Sequence, residues 1–502
     1  MSSPLAFRLT ESPALLTDLY QLTMSYAHHR AGTTEQRASF ALYFRKAPFG
    51  GRFAVAAGIQ EALAILAELR FEESDLAYLA TLTGADGVGL FDDAFLARLR
   101  TFRFRGDVDA VPEGTLVLPH VPMMRLTGPV VDVQIAETVL LNTVNFQTLI
   151  ATKAARIVRA AMGRPVVEFG LRRAQGADGG LAASRAAYVG GCAGTSNVLA
   201  GKLFGIPVRG THAHAWVQFF GDEEEAFARY IDALPGNVVL LVDTYETDLG
   251  VDHAITVGRL LRERGKELLG IRLDSGDMDA LSRIARAKFD AAGLPDVKIY
   301  ASNDLDEYAI EKLMQQGAPI DVFGVGTRLV TGGDQSALGG VYKLQAVEVN
   351  GTSPGGETVS TFQPRMKHSE EAAKASIPGR LAVTRCSHAK GWVDVLYDMD
   401  VDAVGSDALV DARTGAPLSV EVDWRAGTSL LQPMMRGGDR VMMETQVSEV
   451  RQRVRASIAS SEDALFGDGT LAVAMPQALW DRRATLLSAV HRANVKQTKE
   501  RA

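Results

Sequence analysis

The sequence predicts an α/β fold, a parallel sheet with covering helices in the manner of an α/β barrel. Three observations predict it: short apolar runs recur through the middle of the chain, each ends in a polar cluster, and helical periodicity follows. The runs are "RPVVEFGLRR" (164–173), "GIPVRGTHAH" (205–214), "NVVLLVDTYET" (237–247), "LLGIRLDSGD" (268–277), "VKIYASND" (297–304) and "IDVFGVGTR" (320–328). The last four are spaced roughly 25 residues apart, the length of a strand-helix unit. Strands that are nearly unbroken apolar runs belong to a sheet buried on both faces.

The helices between them follow from spacing. "DHAITVGRLLRERG" sets Ala254, Val257 and Leu261 on one face and stops at Gly265. "DMDALSRIARAKFDAAGLP" aligns Leu281, Ala285 and Phe289 before Gly293 and Pro295. "NDLDEYAIEKLMQQG" opens on the capping candidates Asn303 and Asp304, carries Leu305, Ala309 and Leu313 one turn apart, and closes on Gly317.

Composition narrows the function. With 502 residues, 47% apolar and 23% charged, the chain has room for two or three domains and a large core. A net charge of −7 argues against nucleic-acid and anionic-membrane partners, which need a basic surface to neutralise phosphate. Two cysteines, Cys192 and Cys386, make neither a disulfide framework nor a four-cysteine zinc site, and a reducing cytoplasm fits them. Arg8, Glu11 and Asp18 interrupt the first apolar residues, so no signal-peptide core is expected, and no later run approaches membrane-spanning length.

Substrates of parallel α/β barrels bind at the C-terminal ends of the strands. Six successive strand ends here carry Glu168 with Arg172, His214, Asp243, Arg272 with Asp274 and Asp277, Ser302 with Asn303, and Gly324 with Gly326 and Thr327. The glycines and "SND" suit close approach of a phosphate, or simply shape tight turns. Asp274 and Asp277 suit ribose hydroxyls or Mg²⁺, or cap a helix. Arg172, Arg173 and Arg272 suit a carboxylate or pyrophosphate. Together they point to a phosphorylated sugar and an anionic partner. In "GTHAH" the pair His212 and His214 reads as a metal clip if 212–214 is a strand, or as one working histidine beside a structural one.

These residues resemble nicotinate phosphoribosyltransferases over most of the chain. "LLTDLYQLTM", "EFGLRRAQGADGGLAASRAAYVGG", "AGTSNVLAGKLFGIPVRGTHAHAWV", "VDTYET", "IRLDSGD" and "FGVGTRLVT" with "SALGGVYKL" look like that family's blocks, in the family's order. The resemblance implies a type II phosphoribosyltransferase fold: an irregular α/β barrel with a second α/β domain formed from N- and C-terminal segments, dimeric, with sites near the subunit boundary. It implies that nicotinate and 5-phosphoribosyl 1-pyrophosphate give nicotinate mononucleotide and pyrophosphate in NAD biosynthesis, with Mg²⁺ and with ATP hydrolysis coupled through a phosphohistidine. His214 occupies the phosphorylated position of the family's "GTxAH" pattern, with Asp243 expected on the ring's other nitrogen. Phe169 and Arg272 would sandwich the pyridine ring, Tyr20 would approach from the partner subunit, and Arg172 would meet either the phosphates or the nicotinate carboxylate.

Ser196 in "AGTSN" stands where nicotinamide-specific relatives carry an aspartate. A carboxylate there would repel nicotinate in a desolvated pocket, whereas a hydroxyl donates to it, so nicotinate is favoured. The bland alternative for Ser196 is a helix cap. A nicotinamide-using enzyme, a quinolinate phosphoribosyltransferase and a non-enzymatic phosphosugar sensor are the rival readings; "GTHAH" counts against the last two. The expected domains are 1–120 and 341–440 for the second domain, 121–340 for the barrel, and 441–502 as a helical appendage. Residues 350–380 read as loop-rich, with "PRMKHSEEAAKASIPGR" an ordered loop near the site.

Overall fold

The computed structural model describes residues 13–352, 358–367, 376–401, 408–424 and 426–501. The chain divides into two compact units: Leu149–Ser336 with Gln446–Arg455, and the remainder.

The first unit is a curled sheet of six strands, all parallel. In chain order these are β1 (Val166–Glu168), β2 (Gly194–Thr195), β3 (Val239–Leu241), β4 (Gly270–Leu273), β5 (Lys298–Ala301) and β6 (Val322–Val325), and their spatial order is β2-β1-β6-β5-β4-β3. Register aligns their C-terminal ends, with Val325 opposite Glu168, Ala301 opposite Phe323 and Leu273, and Leu241 opposite Arg272. The loops after the strands therefore leave at one level. Helices Thr247–Glu263, Met278–Ala291 and Glu307–Gln315 follow the strands; the first two bury Ala254, Val257, Leu261, Ala285 and Phe289 as spacing predicted, whereas the third buries Glu307, Ile310 and Met314 and leaves the expected Ala309 and Leu313 half-buried. The first of these packs close because Gly250 has no side chain: a Cβ there would lie 2.0 Å from the Val242 carbonyl.

Two expectations about local structure change. "GIPVRGTHAH" is no strand; Val208 makes a single bridge to Thr195, and His214 begins a helix, His214–Phe220. Pro207 has no N–H to donate to a ladder, and Gly205 sits at a φ of +67° as the C-cap of the helix before it. The helix after β5 is capped by Asp306, whose carboxylate accepts from the Tyr308 and Ala309 N–H groups, not by Asn303 or Asp304. Those two residues take left-handed φ values of +92° and +42° instead, which turns the chain sharply at the strand end.

The second unit holds a seven-stranded antiparallel sheet and a five-stranded one, built from both ends of the chain. Strand Met124–Pro129 pairs with Arg37–Phe44 and Asp107–Ala110 in the larger sheet, so the barrel unit begins at Leu149 and not near residue 121. Phe40 stacks on Tyr342 at 4.9 Å, and the Tyr342 hydroxyl donates to the Val133 carbonyl at 2.7 Å. Within 350–380, Thr358–Pro364 forms a hairpin with Gly340–Thr352, so this part is strand, its Thr and Val residues suiting a pleated edge. Residues 368–375 of the expected site loop lie outside the described residues. The tail is not purely helical: Thr470–Pro476 is a strand paired with Gly391–Asp398 and Leu409–Asp411, an apolar run whose last four residues are buried. Among the described residues no helix is long and apolar enough to cross a membrane.

Candidate active site

The ends of β3, β4 and β5 bring three of the expected residues into one hydrogen-bonded cluster, and a fourth, His214, faces it. Asp243, 8% exposed, accepts through Oδ2 from the Asp274 N–H and the Ser275 hydroxyl, both at 2.8 Å. Asp274 in turn accepts from the Ser302 hydroxyl through Oδ1 and turns Oδ2 toward His214 Nε2 at 3.6 Å. The other ring nitrogen, Nδ1, lies 3.2 Å from Thr244 Oγ1. Thr244 thus takes the ring-holding place expected of Asp243, whose own carboxylate is engaged by the β4 turn. Asp243 Oδ1 is buried without a hydrogen-bond partner, the kind of atom a cation satisfies.

His212 is the structural member of its pair. Its Nε2 accepts from the Leu241 N–H at 3.1 Å, and its ring packs against Phe227 and Tyr230 at 5.8 and 5.0 Å. Burial lowers its pKa to about 4, so it stays neutral. The metal-clip reading fails on geometry, because the nitrogen's lone pair is already used and 212–214 is not extended strand.

Further expected residues lie at the ends of β1, β6 and β2. Phe169 follows β1, and its ring rests on Gly324, where a Cβ would come within 2.6 Å of it. Gly324 is therefore demanded by the ring. Gly326 is not demanded by packing, since a Cβ there would meet nothing nearer than the Phe169 carbonyl at 3.5 Å. Gly170 is needed where the backbone passes Val330, because a Cβ at 170 would lie 2.3 Å from a Val330 methyl. Phe169 also lines a cavity of about 520 Å³ inside the curl of the sheet, with Val167, Thr211, Val239 and Tyr300. Arg272, on β4, does not line that cavity; burial draws its guanidinium below the ordinary value, against the pull of Asp274 and Asp243. Its Nε is buried without a partner. Arg172 is exposed in the turn Leu171–Arg173.

Ser196 does not cap the following helix. Asn197 does, its Oδ1 accepting from the Ala200 N–H at 3.2 Å, which leaves Ser196 free of that duty. Asp277, in contrast, is a helix cap: its Oδ1 accepts from the N–H groups of Asp279 and Ala280. Ser302 is buried against Asp274, while Asn303 and Thr327 are exposed at the ends of β5 and β6. Tyr20 belongs to the other unit, on helix Leu19–Arg30, and is 47% exposed. Thr244, Ser275 and Asn197 escaped sequence reasoning. Their only signal was a hydroxyl or amide next to a strand-end residue already chosen.

Comparison with known proteins places the chain. The nicotinate phosphoribosyltransferase N-terminal domain pattern matches residues 15–145, and the nicotinate phosphoribosyltransferase family pattern matches residues 165–374. A nicotinate phosphoribosyltransferase of Mycobacterium tuberculosis is 42% identical over 80% of this chain and 82% of its own, and one of Bacillus subtilis is 45% identical over 78% of each. The human enzyme is 37% identical over 75% of this chain and 77% of its own. Among solved structures, human nicotinic acid phosphoribosyltransferase superposes with a TM-score of 0.77 at 31% identity, covering 94% of this chain and 99% of that one. A nicotinate-nucleotide pyrophosphorylase from Pyrococcus furiosus shares the fold, with a TM-score of 0.66 at 22% identity over 90% of this chain and 98% of that one. By sequence and by fold, the chain belongs to the nicotinate phosphoribosyltransferase family.

Proposed function

We propose that the protein joins nicotinate to 5-phosphoribosyl 1-pyrophosphate, giving nicotinate mononucleotide and pyrophosphate for NAD biosynthesis, and that His214 couples the reaction to ATP cleavage. The observation that carries the reading is the cluster in which His214, Thr244, Asp243, Asp274 and Ser302 meet at the ends of three adjacent strands. The pyridine nitrogen attacks the anomeric carbon as the bond from that carbon to the pyrophosphate oxygen breaks. This nitrogen already carries a lone pair at neutral pH, so positioning and charge stabilisation supply the catalysis and no general base is required.

Phe169 and Arg272 take the two faces of the ring, Ser196 donates toward the nicotinate carboxylate, and Arg172 meets an anion of one substrate. Ser302, Asn303, Gly324, Gly326 and Thr327 supply the ribose and phosphate side. The donor set fits a hard cation: Asp243 Oδ1 is an orphaned buried oxygen beside Asp274, and Asp274 and Asp277 would hold Mg²⁺. When bound, that ion offsets charge on the leaving pyrophosphate. In the coupled half-reaction, neutral His214 attacks the γ-phosphorus of ATP, the bond to the β,γ-bridging oxygen breaks, and ADP leaves with that electron pair. Exposed Leu16, Leu19, Tyr20 and Met24 give the second unit an apolar face suited to a second copy, in keeping with a homodimer. Both cysteines are buried thiols, in keeping with a cytoplasmic setting.

The test is a product assay with 5-phosphoribosyl 1-pyrophosphate and Mg²⁺, offering nicotinate, nicotinamide or quinolinate, each with and without ATP. Nicotinate mononucleotide formed from nicotinate, and more of it with ATP, is the expected result. Turnover of nicotinamide instead would overturn the part given to Ser196, and no effect of ATP would overturn the part given to His214.

A further inference from the structure

Glu168 is a buried carboxylate that the reaction as described does not use. It ends β1, directly before Phe169, and is 0% exposed. Its oxygens are shared among three segments of the mouth. Oε1 accepts from the Gly170 N–H, in the turn that carries Arg172. Oε2 accepts from the Thr195 hydroxyl at 2.6 Å, at the end of β2, and shares the Ser184 hydroxyl, on helix Ala177–Val189, with the Gly180 carbonyl, each at 2.9 Å. Among the described residues no lysine, arginine or histidine bonds it; its donors are a backbone N–H and two hydroxyls. Such bonds to an ionised acceptor are short and roughly twice as strong as neutral ones.

The groups that Glu168 gathers continue to the substrate side. Thr195 Oγ1, while donating to Glu168, accepts from the Asn197 N–H at 2.9 Å, and Asn197 Nδ2 donates to Ser184 Oγ at 3.1 Å. The Ser196 N–H donates to the backbone carbonyl of Glu168 itself at 2.9 Å. Residues 195–197 are thus held from both sides, and Ser196 has no freedom to move apart from Glu168. On the other side, the Phe169 N–H donates to the Val325 carbonyl at 2.8 Å, and the next residue, Gly170, is pinned by Oε1. Phe169 is fixed at both ends of its own short span.

We infer that Glu168 is a positioning residue for nicotinate: one carboxylate clamps the Phe169–Gly170 turn to the Thr195–Asn197 turn and so sets the gap between the stacking ring and the Ser196 hydroxyl. The inference rests on the placement of nicotinate against Phe169 and Ser196. A carboxylate suits the task because its two oxygens accept from three directions, which an amide cannot do while keeping the same donors.

The test compares Glu168→Gln, Ser184→Ala, Phe169→Leu and Ser196→Ala in the full-length protein, measuring kcat and the KM of each substrate together with the melting temperature. Glu168→Gln keeps the volume but turns a donor toward Thr195 and Ser184, and is expected to raise the KM for nicotinate on the order of tenfold while the KM for 5-phosphoribosyl 1-pyrophosphate stays within about twofold. Ser184→Ala leaves the carboxylate in place but removes one of its donors and the acceptor of Asn197 Nδ2, and is expected to raise the nicotinate KM by about threefold, which keeps the inference testable if Glu168→Gln does not fold. Equal rises in both KM values, following the loss of melting temperature, would show a merely structural role and overturn the inference. An unchanged nicotinate KM in the Glu168 and Ser184 variants, with Phe169→Leu and Ser196→Ala raising it, would overturn it alone. An unchanged nicotinate KM in Phe169→Leu and Ser196→Ala would instead remove the placement on which it rests.

Discussion

At the scale of single residues, the site turns on which atom holds which. His214 Nδ1 meets Thr244 and Nε2 faces Asp274, so the ring is oriented by a hydroxyl and a carboxylate from neighbouring strand ends. Replacement of His214 by Asn is expected to abolish the ATP-stimulated part of nicotinate mononucleotide formation and leave the ATP-independent part; product yields with and without ATP check it. Thr244→Val, which keeps the shape and removes the ring's partner, should slow phosphorylation of His214 on the order of tenfold, as followed by transfer of labelled γ-phosphate to the protein. With nicotinate placed as proposed, Ser196→Asp sets a second carboxylate against it, where like charges cost several kcal/mol, so the nicotinate KM should rise on the order of a hundredfold while nicotinamide gains. Parallel kinetics with the two bases decide it. Residues of this kind were legible as types at strand ends, since polar groups closing an apolar run stand out. Their partners were not: Thr244 and Asp243 are adjacent in sequence, and only the path of the β3 loop puts one on the imidazole and the other on the β4 turn.

At the scale of elements, strands β3 to β6 were legible because their apolar runs are unbroken and their helices are amphipathic and end in glycine. Segment 205–214 was not, because its apolar residues mimic a strand while Gly205 and Pro207 leave it a single bridge. The glycine at 324 has a packing cause that sequence left open between turn and phosphate cradle. Gly324→Ala would push a methyl to 2.6 Å from the Phe169 ring. It is expected to destabilise the barrel unit by about 1–3 kcal/mol and to raise the nicotinate KM, read from chemical denaturation and kinetics of the same preparation.

At the scale of the whole molecule, buried ionisable groups link stability to pH. His212 titrates near 4 when folded and near 6.5 when unfolded, so the unfolded chain binds the proton first as pH falls. Its contribution, on the order of 3 kcal/mol, is present above about pH 6.5 and lost as pH drops toward 4. Urea unfolding across this range should show stability falling with pH, and His212→Gln, whose amide oxygen still accepts from Leu241, should flatten the slope. The buried carboxylate of Glu307, which pairs with Lys153 and with Arg156 at 3.1 Å, ties helix Glu307–Gln315 to helix Glu137–Ala160 within the barrel unit's own span.

By itself the sequence determined the alternation of strands and helices, the level at which polar residues gather, and the family. These are properties of periodicity and of short motifs, and each is written within a stretch of one or two turns. The tertiary structure decided the rest: Thr244 on His214, Asn197 and Asp306 as caps, Thr470–Pro476 as a sheet strand, and Glu168 as the clamp between two turns. The caps are local bonds, chosen by where each helix starts; the others depend on register between segments tens of residues apart, and register is settled only when the strands pair and the helices pack.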